Sequence, residues 1–342
     1  MNRKYIGIIV AVLAVILGGA YAFSERSGTE EAKERVSQKM ASQEGETINV
    51  MVSVLPQVEF VQRIGGEEVS VSEMIPPGFS PATYNPSPEQ LQKLQDADMY
   101  FRIGHIPFEK AQMARLENIN PDMDVVDTSA GVPLLAMTAH HHHDDEEEHE
   151  HEDGHEDEHE HEGEEVHEHE GEEMHEDEEA AGDDPHIWLS PELVKIQAKN
   201  ILDGLVAYRP ESEAYFTENY EQFIADLDEL DARLEETFAP IAGQTILVFH
   251  PAFGYLADAY GFEQEAIEVE GKDPTPAQLR DIIDRAEEDG ARVIFVQKQF
   301  STKSAESVAQ EIGGAVVQID PLAKDYFTNL ESLAMTITQA IQ

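Results

Sequence analysis

The sequence predicts an α/β protein of two similar lobes, each a parallel sheet flanked by helices, joined by one long rigid α-helix. Three observations carry this. β-Branched apolar runs alternate with helix-spaced ones in the first half, the second half repeats that grammar, and a long amphipathic stretch separates them.

Residues 48–55 form a β-branched run closed by Pro56. Val58, Phe60, Val61 and Ile64 then recur at helical spacing, and Gly65-Gly66 is the stop. A second strand is expected over 69–74, before the turn-forming Pro76-Pro77-Gly78, and Pro86-Ser87-Pro88 leads into a helix over 89–96. Residues 98–103 read as the next strand.

In the second half, 246–249 is a strand, Pro251 opens a helix and Gly261 stops it; Pro274-Thr275-Pro276 leads into a helix over 277–288 and a strand over 291–296. Pro86-Ser87-Pro88-Glu89-Gln90-Leu91 matches Pro274-Thr275-Pro276-Ala277-Gln278-Leu279, and each string precedes a helix and an apolar strand. The halves therefore read as related lobes. Between them Phe216, Tyr220, Phe223, Leu227, Leu230, Leu234 and Phe238 recur every three or four residues, which predicts one helix over 211–238. At 1.5 Å per residue it spans about 42 Å, a stiff spine rather than a hinge.

The expected organisation begins with residues 1–22: basic Asn2-Arg3-Lys4, then an uncharged apolar run ending in Ala20-Tyr21-Ala22. This is an export signal cleaved before Phe23, or an uncleaved membrane anchor, since the run is just long enough to span a bilayer. A polar tether over 23–47, an N-terminal lobe over 48–209, the linking helix over 210–240 and a C-terminal lobe over 241–342 follow. Within the first lobe, 140–184 collapses to His, Glu, Asp and Gly and reads as a disordered insertion. The localisation is extracytoplasmic, periplasmic or at the cell surface.

The formal charge is −49, from 71 acidic and 22 basic residues. The insertion holds 25 of the acidic residues and no Lys or Arg, which leaves −24 for the rest. Such a surface repels nucleic-acid phosphates, so nucleic acid is excluded as a partner. It suits either a high-salt environment, where screening weakens self-repulsion, or an ordinary acidic soluble protein. No cysteine is present, so disulfides, thiolate ligands and cysteine nucleophiles are excluded, and any metal must be held by nitrogen and oxygen.

Ligands of open α/β sheets sit at the carboxyl ends of strands. Four candidates lie there or at a helix start: His105 after the strand ending near Gly104, His250 after 246–249, Asp320 after 316–319, and His186 before the helix that starts near Glu192. They come from both halves, so facing lobes would bring three imidazoles and a carboxylate into the cleft. That set suits Zn²⁺, and a harder ion such as Mn²⁺ would prefer a second carboxylate. Only these three of the fifteen histidines lie outside the insertion, whose other twelve alternate with acidic residues as a weak, many-site metal tract.

Met74-Ile75-Pro76-Pro77-Gly78, Tyr84-Asn85-Pro86-Ser87-Pro88, Asp184-Pro185-His186-Ile187-Trp188-Leu189-Ser190-Pro191, His250-Pro251-Ala252-Phe253-Gly254-Tyr255, Gln299-Phe300-Ser301 and Ile319-Asp320-Pro321-Leu322 occur in this order. Together they resemble the zinc/manganese solute-binding proteins of ABC importers, over residues 48–342. The resemblance implies a metal held between two lobes joined by a rigid helix, and delivery to a membrane permease driven by an ATPase. It also implies that His186, His250 and Asp320 are ligands and that histidine at position 250 favours zinc over manganese. The cleft has no recognisable nucleophile–base pair, so a receptor and not an enzyme is expected, as a monomer. One departure stands out. The family's Pro-His-x-Tyr string is here Pro81-Ala82-Thr83-Tyr84, and His105 is assigned to the vacancy.

Two other classes compete with a transport receptor. A zinc hydrolase would need three ligands and an open position, with Glu268 or Glu270 as base, but no His-Glu-x-x-His helix occurs. A metal-buffering or cell-adhesion protein would make the His-rich insertion the functional part.

Overall fold

The computed structural model describes residues 47–137, 182–268, 274–288 and 290–341. The export segment, all but the last residue of the tether, all but the last residues of the His-rich insertion and Glu270 lie outside them. The chain divides into two compact units, each built on a four-stranded parallel sheet.

The first unit contains the described residues up to Gly131, together with Pro191–Glu229 and Leu322–Tyr326. Its strands are β1 (Ile48–Val52), β2 (Val69–Glu73), β3 (Met99–Arg102) and β4 (Asp124–Asp127), in the order β2-β1-β3-β4. β1 is paired on both edges and buried at all but Asn49, which explains its nearly unbroken apolar run. Helices α1 (Leu55–Gly65), α2 (Pro88–Gln95), α3 (Pro107–Ile119) and α4 (Pro191–Tyr208) belong to this unit. Each carries proline in its first turn, where the missing N–H costs nothing. The expected strand over 48–55 ends at Val52, because the Gln57 Oε1 accepts the amides of Ser53 (3.1 Å) and Val54 (3.3 Å) and draws the chain into the helix.

The second unit contains the described residues of 132–190, 230–321 and 327–341. Strands β5 (Thr245–Val248), β6 (Glu263–Ala266), β7 (Val293–Gln297) and β8 (Ala315–Ile319) run in the order β6-β5-β7-β8, the same topology as the first sheet. The similarity inferred from the two Pro-x-Pro strings is thus a similarity of fold. The boundaries expected from sequence put 132–190 in the first lobe; its described residues pack with the second unit. Ala136 and Asp183 form an antiparallel bridge, and the Tyr255 hydroxyl accepts the Leu135 amide (3.0 Å) while donating to the Asp184 carbonyl (2.9 Å).

The linking helix α5 (Glu213–Phe238) is one unbroken element of 26 residues. Phe216, Phe223 and Leu227 are buried on its first-unit portion, and Leu230, Leu234 and Phe238 on its second-unit portion. Phe223 meets Phe60 at 5.9 Å, and Phe238 stacks on Tyr260 at 5.2 Å. Both cores therefore use the stripe that the spacing revealed, each aromatic contributing about 1.5–3 kcal/mol of burial. Helices α6 (Gly254–Tyr260), α7 (Pro276–Glu288), α8 (Lys303–Glu311) and α9 (Tyr326–Ile341) complete the chain. α6 starts three residues later than Pro251 suggested, and Gly261 ends it in the left-handed region at φ 73°. Among the described residues no helix is long and apolar enough to cross a membrane.

Candidate metal centre

The order β6-β5-β7-β8 puts a topological switch point between β5 and β7, where the chain connections diverge to opposite sides and leave a crevice. His250 lies there, two residues past β5. Its backbone is clamped by the buried side-chain amide of Gln297, the last residue of β7. The His250 N–H donates to Gln297 Oε1 (3.2 Å), and its carbonyl accepts from Gln297 Nε2 (2.6 Å). Glu268, just past β6 and 3% exposed, holds His250 Nδ1 in a short hydrogen bond.

His186 arrives on the loop before α4. Asp184, 2% exposed, accepts both the His186 amide (2.9 Å) and His186 Nδ1 (2.6 Å) through Oδ1. The other oxygen of Asp184 faces Gly254, where an added Cβ would lie 2.7 Å from Oδ2. That proximity is a reason for glycine at the start of α6.

The two imidazoles meet at an interplanar angle of 73°, with Nε2 atoms 3.3 Å apart. A carboxylate on each Nδ1 selects the tautomer protonated there, so both Nε2 lone pairs point into the gap. Two nitrogens bound to one tetrahedral zinc at 2.0–2.1 Å are themselves about 3.4 Å apart. The His186–His250 spacing is that of two ligands on one ion, and the carboxylates behind them supply the orientation such ligands need. Burial lowers the His250 pKa below the ordinary histidine value; the Glu268 hydrogen bond opposes this and His186 adds to it. The ring is therefore kept neutral, the form that binds metal. Phe300 stacks on His250 (5.0 Å), and Trp188 meets His186 edge-on (5.2 Å). These apolar walls limit water and strengthen electrostatic interactions inside.

Asp320 directly follows β8. Gln299 Nε2 donates to its Oδ1 (3.1 Å), and Lys298 Nζ lies 3.5 Å from its Oδ2. The Trp188 indole donates to the carbonyl of the adjacent Pro321 (2.9 Å), tying the His186 loop to the Asp320 turn. His105 follows β3 in the first unit. Of the four residues assigned from sequence, the structure brings His186 and His250 together. Among the described residues no group of three or more His, Asp or Glu side chains forms a metal-holding cluster.

Asp184 and Gln297 escaped the sequence reading, and Glu268 entered it only as a hydrolytic base. Asp184 had a local signal, since an acidic residue two positions before His186 can bond both its amide and its ring. Glu268 and Gln297 had none, because their relation to His250 exists only in the parallel alignment of three strands.

Fold and site define a class: a two-unit α/β protein that presents a buried, carboxylate-backed imidazole pair suited to a divalent metal. Over residues 50–340 the chain matches the family described as ZnuA, zinc-uptake complex component A, periplasmic, and it belongs to that family. Its members are extracytoplasmic solute-binding components, not enzymes, and work with the permease and ATPase of an ABC importer. The high-affinity zinc uptake system protein ZnuA of Bacillus subtilis (strain 168) is 28% identical over 329 residues, covering 94% of this chain and 90% of that protein. The manganese-binding lipoprotein MntA of Halalkalibacterium halodurans is 25% identical over 324 residues, covering 92% and 89%. A crystal structure of ZnuA matches with a TM-score of 0.72 and 34% identity, covering 87% of this chain and all of that one. A zinc-bound ZnuA lacking residues 138–173 of its own sequence matches at 0.71 with 34% identity, covering 86% and 98%.

Proposed function

We propose that the protein is a high-affinity Zn²⁺ receptor that acts as a monomer outside the cytoplasm and delivers its ion to an ABC importer. His186, His250, Asp320 and His105 are its ligands. The observation that carries this reading is the Asp184–His186···His250–Glu268 arrangement, whose two free nitrogens have the separation of a zinc site. Imidazole-rich coordination favours zinc over manganese, the alternative ion. The N-terminal segment serves as export signal or as anchor, and the His-rich insertion gathers metal weakly.

The geometry of the first unit supports His105 as substitute ligand. The Phe108 amide donates to the Pro81 carbonyl (3.1 Å), and Tyr84 and Phe108 rings lie 5.9 Å apart. The loop with Ala82, where the family carries histidine, is thereby fastened to the helix that starts two residues after His105.

Calorimetry on the chain lacking residues 140–179 tests the reading. One tight zinc site should remain, manganese should bind more weakly, and His105→Ala should weaken zinc by about two to three orders of magnitude, the share of one ligand in four. Loss of all tight binding with the insertion would instead make the protein a metal buffer. Affinity indifferent to His105 would leave a three-ligand site.

Acid should weaken binding in a defined direction. The His250 pKa is lowered, so its ring is neutral at neutral pH and protons compete only below the ordinary histidine value of about 6.5. Zinc affinity measured from about pH 8 to about pH 5 should hold and then fall steeply. A profile flat to the acid limit would contradict imidazole ligation.

A further inference from the structure

The first unit contains a buried acid that the metal-binding reading leaves unused. Glu109 sits in the first turn of α3, 2% exposed, at the carboxyl ends of β1 and β3. Its Oε1 accepts the Ile103 amide (2.8 Å) and its Oε2 the Gly104 amide (2.5 Å). The Ser53 hydroxyl, just past β1, also donates to it, and Ser53 Oγ lies 2.9 Å from the Tyr100 hydroxyl. An apolar side chain would fill this space at lower cost, because burying a carboxylate is expensive unless specific bonds satisfy it. Here the bonds go to the two residues directly before His105.

We propose that Glu109 is a positioning residue for metal binding: its carboxylate gathers the Ile103 and Gly104 amides and thereby sets the turn that presents His105. This rests on the reading of His105 as a ligand. The turn is held from both sides. On its far side Pro107 starts α3, and the Phe108 amide is bound to the Pro81 carbonyl. On its near side Gly104 has φ +96°, and a Cβ there would lie 2.7 Å from Ser129 Oγ and 2.8 Å from Asp127 Oδ1. Asp127 is itself fixed by Arg102 (2.7 Å) and by the amide (2.9 Å) and hydroxyl (2.7 Å) of Ser129. A backbone so constrained has one path, and Glu109 supplies the acceptors that this path requires. The carboxylate is also well placed for the positive end of α3. Burial raises the Glu109 pKa to about 6, against the lowering effect of the Ser53, Ile103 and Gly104 hydrogen bonds, so the acceptor form prevails at neutral pH.

The test is a double-mutant cycle on the full chain, with zinc affinity read by competition against a tight chelator so that the His-rich tract does not register. Glu109→Gln keeps the volume but replaces one acceptor by a donor, and it should weaken zinc about ten- to hundredfold, the usual loss for an outer-shell partner. In the His105→Ala background the same change should have no further effect, because the turn then has no ligand to place. Ser53→Ala removes a single bond to the carboxylate and should show the same coupling in smaller measure, should Glu109→Gln unfold at assay temperature. An equal loss with and without His105 would overturn the proposal, since it would mean general loosening of the unit. No loss on Glu109→Gln, beside a clear loss on His105→Ala, would remove the positioning role alone. Unchanged affinity in His105→Ala would remove the ligand assignment and the positioning role with it.

Discussion

Replacing His250 by alanine is expected to weaken zinc binding by two to three orders of magnitude. A structural zinc site is worth about 10–16 kcal/mol over four ligands, so one imidazole accounts for about 2.5–4 kcal/mol. The change also removes the hydrogen-bond partner of Glu268, which is almost fully buried. A buried acceptor left unsatisfied costs about 1–3 kcal/mol, so the metal-free protein should melt at lower temperature as well. His186→Ala should weaken zinc alike but lower the melting temperature less, because Asp184 keeps the backbone amide of residue 186 as a donor. Chelator competition and thermal melting read the two effects separately. Zinc held at wild-type strength in either variant would dismiss the imidazole pair as the centre of the site.

The second large effect is expected from Glu268→Gln, which touches no metal in the proposed site. Glutamine preserves the shape and can still accept from Nδ1, but it lacks the charge that makes the imidazole a stronger donor. Zinc affinity at neutral pH should fall about ten- to hundredfold. The acid dependence should move too, and its sign follows from the forces on His250. Glu268 raises the pKa of the ring against the lowering by burial, so removing the charge lowers the pKa further. Protons then compete less, and the fall in affinity should begin at lower pH than in the wild type. Weaker binding with an acid-shifted profile is the joint signature. A drop in melting temperature with both affinity and profile unchanged would make Glu268 a structural partner only.

Both expectations depend on residues that had quite different standing in the sequence. His186 and His250 could be selected there, because they follow a predicted strand or precede a predicted helix, and the other histidines save His105 crowd into one tract. The repeated Pro-x-Pro string and the seven-residue apolar stripe likewise disclosed two related halves and the helix between them. These are local patterns, set by proline geometry and by the 3.6-residue period, and they need no knowledge of distant neighbours.

Glu268 and Gln297 reach His250 only because β6 and β7 flank β5 in a parallel sheet, which brings together residues up to 47 positions apart in sequence. Asp184 counts as a ligand orienter only once His186 and His250 face one another. The grouping of the described residues of 132–190 with the second unit was hidden for the same reason, since it shows in the bonds of the Tyr255 hydroxyl to Leu135 and Asp184 and of the Trp188 indole to Pro321. By itself the sequence determined which elements form and which side chains are chemically able to hold a metal, because those properties reside in near neighbours and in side-chain type. Only the tertiary structure decided how the imidazoles are oriented, protonated and buried, because those depend on carboxylates and aromatic rings brought in from other strand ends.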